Sequence, residues 1–173
     1  GSSLVGSEMC IRDRYYTWLV KKYGKVCLGG TFDRIHVGHE RLLKTAFEVG
    51  EEVIIGLTSD TKARKGRGNE KLSSFKNRYT NLETFLSKKF DNNFSIVKLN
   101  DDWGPGALDE DLDAIIVSEE TEKVASELNK KRDLKDLHPL DIVTVPLILD
   151  KKGEKISSTR IRNSQIDREG NKA

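Results

Sequence analysis

Apolar residues follow two rhythms along this chain. Short apolar-rich runs occur at Lys25–Leu28, Glu52–Thr58, Phe94–Leu99, Asp113–Ser118 and Asp141–Leu149, the last interrupted by Pro146. Runs of that length bounded by turn residues predict strands buried on both faces. Between them the spacing widens to three and four. Leu42, Leu43, Ala46 and Phe47 recur within Val37–Val49, and Gly50 stops the run, which predicts a helix. Ser73–Lys89 places Phe75, Tyr79, Leu82, Phe85 and Leu86 on one helical face, Thr121–Lys131 predicts a further helix, and Ile156–Arg162 opens a last one. Thr61–Lys71, rich in Gly, Lys and Arg, reads as a loop. Strand and helix alternate, so the expected fold is α/β: a single domain with a five-stranded, mainly parallel sheet, doubly wound with helices on both faces. Ligands of such sheets bind at the carboxyl ends of the strands, where the winding reverses.

Composition narrows the function. A chain of 173 residues supports one domain with a real core. Charged residues make up 34 %, but 30 basic against 28 acidic leaves a net charge of +2. That balance argues against nucleic acid as a partner, so any basic site must be local. The longest apolar stretch, Ile142–Leu149, is broken by Thr144 and Pro146 and is too short to span a bilayer. No charged-then-apolar leader opens the chain, so neither membrane nor export is expected and a cytoplasmic protein is. Cys10 and Cys27 have no metal or redox spacing, and Cys27, inside an apolar run, reads as a buried inert thiol. Asn93-Phe94-Ser95 matches a glycosylation sequon, which has no consequence without secretion. Gly1–Arg14 has no periodicity and resembles translated adapter sequence, so it is set aside as non-native or disordered. The segment 164–173 is polar and expected to be disordered.

The candidate chemistry lies at the first strand–helix junction, Gly29-Gly30-Thr31-Phe32-Asp33-Arg34-Ile35-His36-Val37-Gly38-His39. Two glycines let the backbone turn and approach a ligand. The helix that follows brings unpaired N–H groups and a positive dipole end, an anion site. His36 and His39, three apart, can project from its first turn toward one anion, Gly38 leaves room for a phosphate, and Thr31 adds a hydroxyl. Such a set suits a polyphosphate. The same histidines could instead be a metal pair, although only His138 remains as a further histidine, or two structural histidines. Near the far end, Lys155-Ile156-Ser157-Ser158-Thr159-Arg160-Ile161-Arg162 sets consecutive hydroxyls at a helix start, with Arg162 offering a planar fork for phosphate. By itself this segment also fits a helix cap with solvated arginines.

GGTFD followed by HVGH, together with ISSTRIR, resembles the HxGH nucleotidyltransferase superfamily, whose sheet is Rossmann-like. The stretch DAIIVSEET, Asp113–Thr121, looks like the archaeal and eukaryotic type of phosphopantetheine adenylyltransferase. The resemblance runs from about Tyr23 to Arg162 and implies a nucleotidyltransferase domain over 15–163. It implies transfer of AMP from ATP, with Mg²⁺ on the nucleotide, to 4′-phosphopantetheine, a step of coenzyme A biosynthesis. By the same resemblance His39 stabilises the transition state at the α-phosphorus, and His36 is a further phosphate contact. Gly30, Thr31, Phe32 and Gly38 line the nucleotide site, with Thr31 also serving the acceptor. Lys62 holds acceptor and α-phosphate, and Ser157, Ser158, Thr159 and Arg162 grip the nucleotide's phosphates. Arg160, two positions from Arg162, is expected to point off the site. One departure stands out. Bacterial members carry Arg-Gly-Leu-Arg after the fourth strand, and this chain has Ser118-Glu119-Glu120-Thr121, so neither substrate-binding arginine carries over. A cytidylyltransferase, an FAD-synthesising adenylyltransferase and a non-catalytic nucleotide-binding module remain alternatives. Oligomeric state is not readable.

Overall fold

The computed structural model describes residues 21–68, 70–90, 93–102, 104, 108–157, 160–161 and 166–171. Strands β1 (Tyr23–Gly30), β2 (Gly50–Thr58), β3 (Phe94–Leu99), β4 (Ala114–Ser118) and β5 (Asp141–Val145) form one sheet in the order β3-β2-β1-β4-β5. Each adjacent pair is parallel. The helices are α1 (Val37–Val49), α2 (Asp60–Arg64), α3 (Phe75–Lys89) and α4 (Glu122–Leu134). The winding reverses between β1 and β4, which is where a doubly wound sheet opens a crevice at its carboxyl edge.

The period-2 alternation of the strands divides the core into two layers. Val26, Leu28, Val53, Ile55, Ala114 and Ile116 point to one face, where Leu43, Ala46 and Phe47 of α1 and Leu82 and Leu86 of α3 cover them. Cys27, Ile54 and Ile115 point to the other, against Leu128 of α4. The helices thus sit on both faces, as the alternation of elements requires.

The described elements depart from the expected ones in four places. Ser59 begins α2 inside the segment expected to be a loop, its hydroxyl accepting from the Lys62 backbone N–H at 3.2 Å. That N-cap stabilises a single turn too short to show a periodicity. Strand β5 stops at Val145, because Pro146 lacks the N–H a ladder needs. Leu149 then bridges Lys155 antiparallel, closing a turn. The last segment is the fourth: Ile166 is buried, the Asp167 carboxylate closes a turn by accepting from the Glu169 and Asn171 N–H groups, and the Arg168 carbonyl accepts from Val37 N–H at 3.2 Å. This part of the polar tail packs through one apolar anchor and against the start of α1. Among the described residues no helix is long and apolar enough to cross a membrane. Gly1–Arg14, with Cys10, lies outside the described residues.

Candidate active site

The carboxyl ends of β1, β4 and β5 surround a cavity of about 370 Å³ at the switch point. The β1–α1 junction supplies Gly29–Asp33, His36, Gly38 and His39 to its wall. Ser118, Glu120 and Thr121 come from the end of β4, Pro146–Ile148 from the end of β5, Lys155–Ser157 from the C-terminal segment, and Arg67 from the basic loop.

The histidines are arranged as a helix cap. His36 is the N-cap residue of α1, and its Nδ1 accepts from Gly38 N–H at 3.0 Å. His39 Nδ1 accepts from His36 N–H at 3.4 Å, which completes a reciprocal capping box. The two rings stack with centroids 3.8 Å apart. This local pairing alters the expected role of the helix start. Val37 N–H is held by the Arg168 carbonyl and Gly38 N–H by the His36 ring, so an anion here meets the helix dipole and the imidazoles instead of those two backbone donors. The absence of a side chain at Gly38 also has another cause than the one expected. A Cβ there would stand 2.8 Å from His36 Cε1, so the space is filled by the imidazole and is not left for phosphate.

Burial, with Lys155 nearby, pulls the His36 pKa down to about 4. Burial, His36 and Lys155 pull His39 down to about 3, against a hydrogen bond to the Arg34 backbone that favours the charged form. Both imidazoles are neutral at pH 7. In a neutral His36 whose Nδ1 accepts, the proton sits on Nε2, which makes that nitrogen the donor for an anion.

Phe32 supports this pair from below. Its ring is buried and lies 4.9 Å from the His39 ring. Its φ of 48° is left-handed, an uncommon state for a residue with a side chain. Gly30 permits the fold-back, since a Cβ on it would meet Phe32 Cε2 at 3.0 Å. Thr31 lines the cavity and accepts a hydrogen bond from the Thr58 hydroxyl at 3.0 Å. Asp33 is buried and accepts from Ser73 N–H at 2.8 Å, tying the junction to the entry of α3.

The first groups of the C-terminal motif line the cavity. Ser157 lines the cavity and caps the next turn, its hydroxyl accepting from Arg160 N–H at 3.3 Å and its carbonyl from Ile161 N–H at 3.2 Å. Arg160 turns away, its guanidinium donating to Asp150 Oδ2 at 2.7 Å and to the Lys155 carbonyl at 2.6 Å. Ser158, Thr159 and Arg162 lie outside the described residues. Lys62 stands on α2 at the same sheet edge, but it does not line this cavity and its ammonium is bonded to the Asp102 carboxylate. Its partner Asp102 lines a second, smaller groove on the opposite face of the sheet, together with Gly29, Gly56, Leu99 and Leu128.

With this geometry in view, the relatives of the chain are informative. The cytidylyltransferase-like family matches residues 27–164. A phosphopantetheine adenylyltransferase of Pyrococcus furiosus is 46 % identical over 87 % of this chain and 94 % of its own length. That of Methanothermobacter thermautotrophicus is 47 % identical over 85 % of this chain and 88 % of its own. The chain belongs to the phosphopantetheine adenylyltransferase family. A crystal structure of an Archaeoglobus fulgidus protein of unknown function also superposes with a TM-score of 0.65, at 34 % identity over 77 % of this chain and 99 % of that one.

Two residues, one lining the cavity and one behind its wall, were not singled out from sequence. Lys155 lines the cavity with its ammonium 2.7 Å from Glu120 Oε2, so a half-exposed cation faces the histidines. Its position next to the motif was the available signal. Arg78 of α3 is fully buried and donates to the carbonyls of Thr31 (3.1 Å), Thr58 (2.8 Å) and Ser73 (3.0 Å) and to Asp60 Oδ1 (3.0 Å). It clamps the ends of β1 and β2 together. Nothing local in the sequence distinguishes it from a solvated helix arginine.

Proposed function

We propose that the chain transfers the adenylyl group of ATP to 4′-phosphopantetheine, releasing dephospho-coenzyme A and pyrophosphate. The observation that carries this reading is the neutral, stacked His36–His39 pair at the start of α1, beside the Thr31 hydroxyl in a cavity at the switch point. Family membership supplies the substrate class.

The acceptor phosphate has a second pKa near 6 and is largely dianionic at pH 7, so it needs no strong base. One of its oxygens attacks the α-phosphorus. The bond from that phosphorus to the bridging oxygen breaks, and its electron pair leaves with pyrophosphate. Catalysis then rests on alignment and on offsetting charge that builds on the equatorial oxygens. His36 Nε2 and Thr31 donate to those oxygens, and His39 does so on releasing the Arg34 backbone. Lys155 exchanges Glu120 for the β- or γ-phosphate, joined by Ser157 and by Ser158, Thr159 and Arg162. Magnesium enters as part of the nucleotide. Among the described residues no three His, Cys, Asp or Glu side chains cluster to hold a metal alone, and Mg²⁺ characteristically binds substrate phosphates with few protein carboxylates.

The groove beside Lys62 suits the acceptor. It meets the cavity at Gly29, its wall is mostly apolar, and Lys62 exchanges the Asp102 carboxylate for the incoming phosphate. The test is pyrophosphate release with ATP and CTP over a panel of acceptors. The expected result is turnover with ATP and 4′-phosphopantetheine and poor turnover with CTP. Comparable rates with CTP, or no release with 4′-phosphopantetheine, would overturn it.

A further inference from the structure

Thr58 is the last residue of β2, one strand away from Thr31, and it is buried. Its hydroxyl donates to Thr31 Oγ1 at 3.0 Å. Behind it lies the Arg78 guanidinium, whose Nη1 donates to the Thr58 carbonyl at 2.8 Å and to the Thr31 carbonyl at 3.1 Å and stands 3.5 Å from Thr58 Oγ1. A cation at that side of the Thr58 oxygen favours its lone pairs facing Arg78 and its proton facing Thr31. A threonine hydroxyl has one proton and can accept as well as donate. With its acceptor role filled by Thr58, Thr31 is left with its proton to give to the cavity. Neither Thr58 nor Arg78 lines that cavity, whereas Thr31 does.

We propose that Thr58, backed by Arg78, is a positioning residue that orients the Thr31 hydroxyl as a donor to the phosphate oxygens of the reaction. The chain runs Arg78, Thr58, Thr31, phosphate, each group donating to the next. Such a preset dipole needs no reorientation as negative charge develops, so its effect is larger in the transition state than in the ground state. The inference rests on the adenylyltransferase reading, and its test separates the two.

Thr58→Val is nearly isosteric, removes the hydroxyl and keeps the backbone carbonyl that Arg78 holds. It is expected to lower kcat roughly tenfold, the effect of losing one hydrogen bond in a charged site, with the KM for ATP changed less than about twofold. Thr58→Ser should restore most of the loss. In a Thr31→Val background, Thr58→Val should cost less than about twofold, because the two act as one unit. Melting temperatures report whether each variant is folded, and Thr58→Ala replaces Thr58→Val if the latter is not. A kcat for Thr58→Val within twofold of the parent overturns the proposal. So does an equal loss in the Thr31→Val background, which would show Thr58 acting independently of Thr31. If the parent protein releases no pyrophosphate with 4′-phosphopantetheine, the functional reading fails on its own. The same cycle of parent, two single variants and double variant, read by urea unfolding, then decides the hydroxyl chain. Stability losses that are less than additive support it, and additive losses overturn it.

Discussion

The two walls of the cavity are built in opposite ways. The β1–α1 wall is one contiguous stretch in which the polar groups satisfy each other at short range: His36 holds Gly38, His39 holds His36, and Phe32 fills the space beneath. The facing wall is assembled from Glu120, after β4, and Lys155, far along the chain, joined by an ion pair whose side chains are about half exposed. The first wall is set before any ligand arrives, and the second must exchange partners when one does. Preset donors suit the reacting α-phosphate, where geometry limits rate. An exchangeable ion pair suits the departing pyrophosphate, which must be held and then released.

Substitutions on the two walls should therefore separate kcat from KM. The largest effect belongs to His39→Ala, expected to lower kcat by roughly 10²–10³ with much less change in ATP affinity. Steady-state pyrophosphate release checks it, and a loss under threefold would remove His39 from its role. Gly38→Ala comes next. The added Cβ would strike the His36 ring, so the ring must move, and about tenfold in kcat is expected from a steric cost of 1–3 kcal/mol. On the facing wall Lys155→Met should raise the KM for ATP roughly tenfold through one lost charge-assisted contact, with kcat little changed. If Lys155→Met lowers kcat as strongly as Gly38→Ala does, the division between the walls is wrong.

Acid should sharpen the same contrast. The folded pKa values of His36 and His39, about 4 and about 3, lie below the ordinary 6.5. The unfolded chain therefore binds more protons between those limits, so stability is full above pH 6.5 and is lost as pH falls toward 4, with a slope of up to about 1.4 kcal/mol per pH unit for each histidine. Urea unfolding at pH 7.5 and 5 should show this, and the double variant His36→Gln/His39→Gln should lose less. A bound polyanion favours imidazolium, so ATP binding should take up protons near pH 6, measurable by calorimetry in buffers of different ionisation enthalpy. The smallest kinetic effect is expected at Arg160. Arg160→Ala should lower the melting temperature by loosening the Asp150 turn while leaving kcat near the parent value.

What could be read from the sequence follows the same division. Helix α1 begins and ends where its spacing places it, and β3 likewise, because those signals are contiguous. The HVGH junction was legible for the same reason, although the use of Gly38 was not: which ring occupies its space depends on a rotamer. Helix α2 escaped notice because a polar single turn carries no period. Arg78 escaped because three of its partners, Thr31, Thr58 and Asp60, are distant along the chain and only Ser73 is local. The Thr58–Thr31 contact is likewise a product of β1 lying beside β2.

Phe32 sets a limit on how this sequence can drift. Its backbone angle is one glycine adopts freely, while the space under His39 calls for an aromatic ring. A change to glycine relieves the backbone and empties the pocket; a change to a β-branched residue partly fills the pocket and worsens the backbone. Either step loses on one count, so drift at this position is confined to other aromatic rings even though the residue takes no part in proton or phosphoryl transfer.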